Sequence, residues 1–283
     1  MSVKRAALGP WLILAILCCP DGHAAQPATP AIRIVSLAPN LTELTFAAGA
    51  GASIVGTVEY SDYPPAALRI ARVGDAFRVD FERVLALRPD VVLAWESGTP
   101  QTVIERLQAL KLNVKTIATW HLADVANAVR EIGELAGTSA AADNTAARFE
   151  RDIAALRDEY GTRKSVSVFL QINDQPLYTV NGKQIMSEML ELCGGRNVFA
   201  ELSNLAPEIG IEAVIAANPQ VIISTDVSGA DGLAQWQRWR QITAVKSGNV
   251  YTLPPENVTR ATTRLADGAA TLCRTLETAR HRL

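Results

Sequence analysis

The sequence has little histidine, no run of basic residues and no long apolar segment. Of its three histidines, only His121 and His281 follow residue 24, and they are far apart in the chain. A free transition-metal site built from clustered imidazoles is therefore not expected. The formal net charge is −2, and without a basic run the chain has no electrostatic footprint for nucleic acid.

Motifs of common enzyme classes are also missing. The sequence has no phosphate-cradling loop, no G-x-S-x-G nucleophile elbow and no paired catalytic cysteines. Gly49 and Gly51 follow a predicted helix and have no third glycine in place, so they are not a dinucleotide fingerprint. We therefore predict no enzyme activity, no catalytic residues, no metal-binding residues and no cofactor.

The first 24 residues have the order of a secretory signal peptide. Lys4 and Arg5 precede an apolar core at residues 11–19, and small residues follow up to Ala24 and Ala25. A membrane anchor is disfavoured because this core is much shorter than the roughly 20 residues that a bilayer requires. We predict cleavage after Ala24 or Ala25 and a mature protein free in the periplasm.

The four cysteines fall into two pairs. Cys18 and Cys19 lie in the leader segment, and lipid attachment to one of them is the alternative to a free protein. It is disfavoured because bulky Leu17 stands where small residues are typical. Cys193 and Cys273 remain as an even pair in an exported chain, which predicts a disulfide, with two buried thiols as the alternative.

Short β-branched runs alternate with longer helical patterns, which predicts an α/β fold with mainly parallel strands. Predicted strands cover residues 33–37, 54–58, 91–95, 114–118 and 165–171, and predicted helices cover 40–48, 81–87, 102–110 and the C-terminus from 262 onward. Asn40 and Glu43 predict a capping box at the first helix. Gly137 is predicted to break the helical stretch between residues 122 and 160.

An internal repeat gives this order a meaning. Residues 82–94 and 212–224 share Glu, Val, Ala, Pro and Val in register, and each copy predicts a short helix, a proline stop and a buried strand. Two copies favour two similar Rossmann-like lobes over a solenoid, which needs at least three. We predict a signal peptide (1–24), an N-terminal lobe (25–136), a linking helix (137–163) and a C-terminal lobe (164–283), with a ligand cleft between the lobes.

Several segments resemble a known family. Residues 33–43 (RIVSLAPNLTE), 59–65 (EYSDYPP), 88–95 (RPDVVLAW) and 190–199 (LELCGGRNVF) are similar to the helical-backbone metal-chelate receptors. These are the class III solute-binding proteins of ABC importers, and the likeness is greatest to the receptors for cobalamin. The resemblance covers almost the whole mature chain. It implies a monomer that carries a corrinoid to the importer's transmembrane subunits, and through them to its ATPase subunits, with a disulfide at Cys193 and Cys273.

The resemblance also implies a role for the two repeated glutamates. In the family, one acidic residue on each lobe docks onto arginines of the membrane subunits, and Glu82 and Glu212 match by register. Carboxylate–arginine pairs give orientation as well as energy. The alternative is that each carboxylate only favours the positive start of a short helix.

The family holds its ligand against aromatic rings in the cleft, where flat faces suit a macrocycle. The matching positions here are Tyr60, Trp95, Tyr178, Glu256, Asn257, Val258, Thr259 and Arg260. For each aromatic residue, packing in the core is the alternative. This alternative is strongest for Trp95, which lies at the end of a buried strand. Tyr60 precedes a proline turn and is predicted at the surface of a lobe.

The sequence departs from the cobalamin receptors at four positions. Ala76, Ala206 and Asn257 stand where those receptors carry tryptophan, and Val258 stands at a phenylalanine position. Phe77 follows Ala76 in the sequence and so offers an aromatic ring next to one of these positions. The ligand is therefore left open among cobalamin, a precursor such as cobinamide, and another chelate.

Two other ligands remain as alternatives of the same class. A haem receptor needs one axial ligand, for which Tyr60 or His121 is a candidate. A ferric-siderophore receptor needs several arginines in the cleft, and the candidates are Arg78, Arg260 and Arg264.

Overall fold

A computed structural model describes residues 32–75, 77–225 and 231–283. The predicted signal peptide over 1–24, the cleavage site after Ala24 or Ala25, and Ala76 lie outside these residues. In the described part of the chain, no helix is both long enough and apolar enough to cross a membrane.

The first lobe is built on a four-stranded parallel sheet. Its strands lie in the order β2-β1-β3-β4, and α1, α2 and α3 connect them in turn. The elements are β1 (Ile34–Ser36), α1 (Pro39–Ala47), β2 (Ile54–Thr57), α2 (Phe81–Ala86), β3 (Val91–Trp95), α3 (Gln101–Ala109) and β4 (Val114–Ile117). The predicted strands and helices of this lobe agree with these bounds to within one residue at each end.

Two packed helices follow the first sheet, α4 (Leu122–Ala136) and α5 (Ser139–Tyr160). The break between them is at Gly137, whose φ of 70° is left-handed and suits a residue without a Cβ. The predicted break is confirmed. The 22 residues of α5 span about 33 Å at 1.5 Å per residue, and the chain then enters the second sheet.

The second lobe repeats the architecture with its own four-stranded parallel sheet, in the order β10-β9-β5-β8. A short antiparallel pair, β6 and β7, follows its first strand. The elements are β5 (Val166–Gln171), β6 (Asn173–Asp174), β7 (Leu177–Tyr178), α6 (Ile185–Leu192), β8 (Gly195–Asn197), α7 (Ile211–Ala217), β9 (Val221–Ser224), α8 (Asp231–Ala234), α9 (Thr243–Lys246), β10 (Val250–Thr252) and α10 (Leu265–Arg280).

The two sheets have the same connectivity. In each, the first strand lies between the second and the third, and the fourth lies beside the third. The repeat detected in the sequence falls on α2 and β3 in one lobe and on α7 and β9 in the other, so both copies supply the third strand of a sheet. The prediction of two similar α/β lobes with parallel sheets is confirmed.

The disulfide prediction is also confirmed. Cys193 at the end of α6 bonds to Cys273 of α10 with a Cα–Cα distance of 4.8 Å, and both residues are fully buried. The bridge therefore fastens the C-terminal helix to α6 within the second lobe.

The predicted capping box at α1 is wrong. Ala38 is the N-cap and makes no side-chain cap, and the helix begins at Pro39, a residue suited to the first helical position. Asn40 therefore lies inside the helix and is buried. Glu43 is also buried, and its carboxylate bonds a distant arginine instead of the start of its own helix.

Candidate functional site: the cleft between the lobes

Residues that end or follow parallel strands of both sheets surround one cavity of about 430 Å³. Trp95 ends β3, Thr119 and Trp120 follow β4, Ile172 follows β5 and Thr225 follows β9. In open α/β sheets, ligands bind outside the carboxyl ends of the strands. The cavity lies at that place for both sheets at once, so the cleft between the lobes is the candidate site.

The cavity wall is mainly apolar and aromatic. The second lobe contributes aliphatic side chains such as Val180, Ile185, Met186 and Leu205, and the first lobe contributes two tryptophans. Among the described residues that line the cavity, none is an acid, a histidine or a tyrosine, and Lys183 is the only charged one. Such a wall suits a bulky ligand that needs few charged partners.

Trp95 is held in one orientation at the cavity wall. Its indole Nε1 donates a hydrogen bond of 2.8 Å to Thr119 Oγ1, and its backbone N–H donates to Thr99 Oγ1. Gly98 lies against the ring so closely that an added Cβ would come within 2.0 Å of it. The ring is half-buried against the core and also lines the cavity, so it serves both packing and the site.

Trp120 and Lys183 were not predicted from the sequence as site residues. Trp120 lies just beyond β4, and Lys183 lies just before α6; both line the cavity. The position of Trp120 beyond a parallel strand was the signal that could have found it. Lys183 had no such signal, because the turn before α6 reaches the cavity only through the tertiary fold.

Tyr60 stands on a rigid turn at the edge of the first lobe. Its φ is 63°, and its side chain is 78% exposed, which agrees with the predicted surface position. Buried hydroxyls anchor the turn, since Thr57 Oγ1 donates to Ser61 Oγ and also lies 2.6 Å from Thr42 Oγ1. The carbonyl of Tyr60 accepts a hydrogen bond from Arg260 of the second lobe, so this turn lies at the mouth of the cleft.

The loop after β10 lies between the cavity and a second, polar basin of about 470 Å³. Thr259 lines both spaces, and Glu256 and Arg260 line the basin. Asn257 lines neither, and its Oδ1 accepts a hydrogen bond from Arg264. Val258 is buried in the hydrophobic core.

Tyr178 is likewise placed away from both spaces. It belongs to β7, is half-buried and forms a bridge to Glu208. Ala206, at one of the tryptophan positions of cobalamin receptors, does line the cavity. The missing ring leaves room there that a larger residue would fill.

Two arginines of the second lobe reach carboxylates of the first. Arg260 Nη1 lies 2.6 Å from Asp62 Oδ1 at the mouth of the cleft, and this hydrogen bond holds the pKa of Asp62 below its usual value. Arg264 forms two hydrogen bonds with Glu43, which together with the charge of that carboxylate raise the pKa of the guanidinium. The same guanidinium lies 4.3 Å from the centre of the Tyr63 ring, in cation–π geometry.

The two repeated glutamates occupy equivalent surface positions. Glu82 lies in the first turn of α2 and Glu212 in the first turn of α7. Both are exposed, and neither has an ion-pair partner in the part of the chain that the structure describes. A carboxylate in the first turn also favours the positive start of its helix. The placement therefore agrees with both the docking role and the structural alternative for these two glutamates.

His121 and Arg78 are not brought into the cavity. His121 is the N-cap of α4, and its Nδ1 lies 3.5 Å from Glu188. Arg78 is exposed in the turn that Asp75 Oδ1 holds through the backbone N–H groups of Phe77 and Arg78. Within residues 32–75, 77–225 and 231–283, no group of three or more acids, cysteines or histidines is arranged to hold a metal ion.

Two lobes of equal topology with one cleft at their strand ends define a solute-binding protein. The family model described as "Periplasmic binding protein" matches residues 34–257. The chain belongs to the periplasmic binding protein family.

Individual relatives support a narrower placement. The vitamin B12-binding protein of Vibrio parahaemolyticus is 31% identical over 254 residues, which cover 89% of this chain and 92% of that protein. The crystal structure of the periplasmic vitamin B12 binding protein BtuF of Vibrio cholerae has a TM-score of 0.82 at 31% identity, covering 89% of this chain and 98% of that one. The haem-binding protein RhuT of Roseiflexus sp. RS-1 has a TM-score of 0.77 at 24% identity, covering 88% and 99%, and shares the fold.

Proposed function

We propose that this chain is the receptor of an ABC importer that binds cobalamin or a closely related corrinoid and delivers it to the membrane subunits. The observation that carries the proposal is the cavity between the lobes, lined by Trp95 and Trp120 and almost free of charge among the described residues. Similarity to the vitamin B12-binding proteins of the two Vibrio species supports the same ligand.

The chemistry of a corrinoid fits this wall. Its macrocycle offers broad faces for the tryptophan rings, and its periphery carries neutral amides that need hydrogen bonds but no counter-ions. Its cobalt carries its own axial ligands, so the protein need not supply one. The cavity and the basin adjoin at Pro255 and Thr259, so a ligand larger than the cavity alone can extend toward the basin.

The two alternative ligands fit less well. Tyr60 and His121, the axial ligands considered for haem, do not line the cavity. Arg260 and Arg264, considered for a ferric siderophore, are already paired with Asp62 and Glu43. Because carboxylates already balance their charges, these two arginines are poor partners for an anionic chelate.

Delivery is proposed to use Glu82 and Glu212. Their exposure and their equivalent places on the two lobes support one contact per lobe with arginines of the importer. The remaining predictions belong to the same proposal. Residues 1–24 direct export, the mature protein acts in the periplasm as a monomer without catalysis, and residues 137–163 connect lobes at 25–136 and 164–283.

Limited lobe movement is expected from α5. A continuous helix bends less easily than a flexible hinge, and two inter-lobe ion pairs add to the connection. The ligand would then enter a cleft that is largely formed, and the importer would separate the lobes to release it.

Isothermal titration of the mature protein with cyanocobalamin, dicyanocobinamide and haemin in parallel tests the ligand. We expect sub-micromolar binding of a corrinoid, roughly −8 kcal/mol or stronger, and weak binding of haemin. Tight binding of haemin with no heat from either corrinoid would overturn the proposal and favour a haem receptor.

A further inference from the structure

The charge on the cavity wall comes from one side chain among the described residues. Of the described residues that line the cavity, Lys183 alone carries a formal charge. Its polar neighbours on the wall, such as Ser97, Thr119, Gln184 and Thr225, are neutral. Among the described residues, the cavity wall therefore presents one positive charge to its ligand and no negative one.

The backbone of Lys183 is held firmly although its side chain is exposed. Its N–H donates to Asn181 Oδ1 at 3.0 Å. Asn181 is itself buried, donates through Nδ2 to the carbonyl of Leu202 and accepts from Ser187 Oγ. Gln184 caps the start of α6 by accepting from the Met186 N–H. The side chain of Lys183 thus extends from a turn whose backbone is held by hydrogen bonds.

The first acid of α6 is engaged elsewhere. Glu188, one turn into α6, accepts a hydrogen bond of 2.9 Å from the Leu122 N–H and lies beside His121. It lines a separate groove together with Arg157. Lys183 has no ion-pair partner among the described residues, whereas Arg260 at the cleft mouth is neutralised by Asp62.

We propose that Lys183 is a specificity-determining residue that binds the phosphodiester of a complete cobalamin. The inference rests on the proposed function and deepens it. A cobalamin carries a single phosphodiester anion in its nucleotide loop, while its other peripheral groups are neutral amides. Cobinamide lacks the nucleotide loop and therefore the anion. A receptor with one unpaired ammonium on its wall distinguishes these two corrinoids by charge.

The magnitude follows from the exposure of the lysine. A unit charge pair a few ångströms apart in a partly solvated site contributes about tenfold in affinity at low salt. Salt screens such a pair when it is exposed to solvent. The preference for cobalamin should therefore shrink as ionic strength rises.

The test compares Lys183→Met, which keeps the apolar stem, with Lys183→Arg, which keeps the charge. Lys246→Met is the matched control, because Lys246 is an exposed lysine on α9 that does not line the cavity. Affinities for cyanocobalamin and dicyanocobinamide are measured by titration at low and high ionic strength. We expect Lys183→Met to weaken cyanocobalamin binding about tenfold at low salt, to leave dicyanocobinamide unchanged, and Lys183→Arg to restore most of the loss.

An equal loss for both corrinoids, or no loss for either, would overturn the assignment while the proposed function stands. Failure of the wild-type protein to bind any corrinoid would contradict the proposed function itself and the assignment with it. The two failures are therefore distinguishable in one set of titrations.

Discussion

Arg264, at the start of α10, bonds both carboxylate oxygens of Glu43 on α1, at 2.6 and 2.8 Å. The pair joins the two lobes and is largely removed from water, with the side chains 16% and 3% exposed. Breaking a buried pair leaves one charge uncompensated, which costs about 3–5 kcal/mol. Arg264 also donates to Asn257 Oδ1, so the pair connects α1 to the loop between the cavity and the basin.

We predict that Glu43→Ala lowers the free energy of unfolding by about 3–5 kcal/mol, measured by urea denaturation. Glu131→Ala is the control, because it breaks the exposed pair between Lys115 and Glu131 and should cost at most about 1 kcal/mol. Similar losses for the two variants would show that the inter-lobe pair contributes no more to stability than an exposed ion pair does.

The exposed pair of Asp62 and Arg260 should make a small, pH-dependent contribution to the free energy of unfolding. The pKa of Asp62 is lowered from 3.8 mainly by its hydrogen bond with Arg260. The stabilisation is therefore complete above the unfolded pKa and is lost as pH falls through the folded one. Because the Asp62 side chain is 57% exposed, solvent screening limits the contribution to below about 1 kcal/mol.

Unfolding free energies of the wild type and Asp62→Asn check this. The difference between them should be present near neutral pH and vanish as the pH falls below the lowered pKa of Asp62. A difference that stays constant across this range would mean that the carboxylate charge is not responsible.

The disulfide should stabilise the second lobe through the unfolded state. The two cysteines are 80 positions apart, and closing a loop of that length is worth about 4 kcal/mol in the chain-entropy model. We predict a loss of this size for Cys193→Ala/Cys273→Ala in chemical denaturation. A reductant should lower the stability of the wild type and leave the variant unchanged; a loss below about 1 kcal/mol would contradict the prediction.

The docking proposal predicts a separation of transport from binding. Glu82→Ala/Glu212→Ala should abolish uptake by vesicles that contain the importer, while the affinity for the ligand and the melting temperature stay at wild-type values. Glu105→Ala/Glu201→Ala is the control, because it removes one exposed glutamate from each lobe outside the repeat. If the first variant supported uptake at the wild-type rate, the roles of Glu82 and Glu212 would be structural only.

Local patterns were enough to predict most of the fold. The bounds of β3 match the prediction at both ends, because β-branched residues stand between a proline stop and a change of composition. The repeat then predicted the shared connectivity of the lobes. The start of α1 was mispredicted since Asn40 and Glu43 suit a capping box locally, but tertiary contacts override that preference.

The site was harder to predict because its contacts join distant parts of the chain. Glu43 and Arg264 are 221 positions apart, and nothing local marks them as partners. The placement of Val258 in the core and of Trp120 on the cavity wall likewise depends on how the two sheets face each other. Family resemblance pointed to Trp95 and Thr259 on the wall, but it could not show which carboxylates hold Arg260 and Arg264.

The central claim is that a corrinoid binds in the cleft against Trp95 and Trp120. Equilibrium dialysis of cyanocobalamin against the wild type and Trp95→Ala/Trp120→Ala, with melting temperatures recorded for both, tests it most directly. We predict one cobalamin bound per wild-type chain and an affinity about a hundredfold lower for the variant, as expected for losing two aromatic contacts, with the fold retained. No binding by the wild type, or undiminished binding by a folded variant, would contradict it.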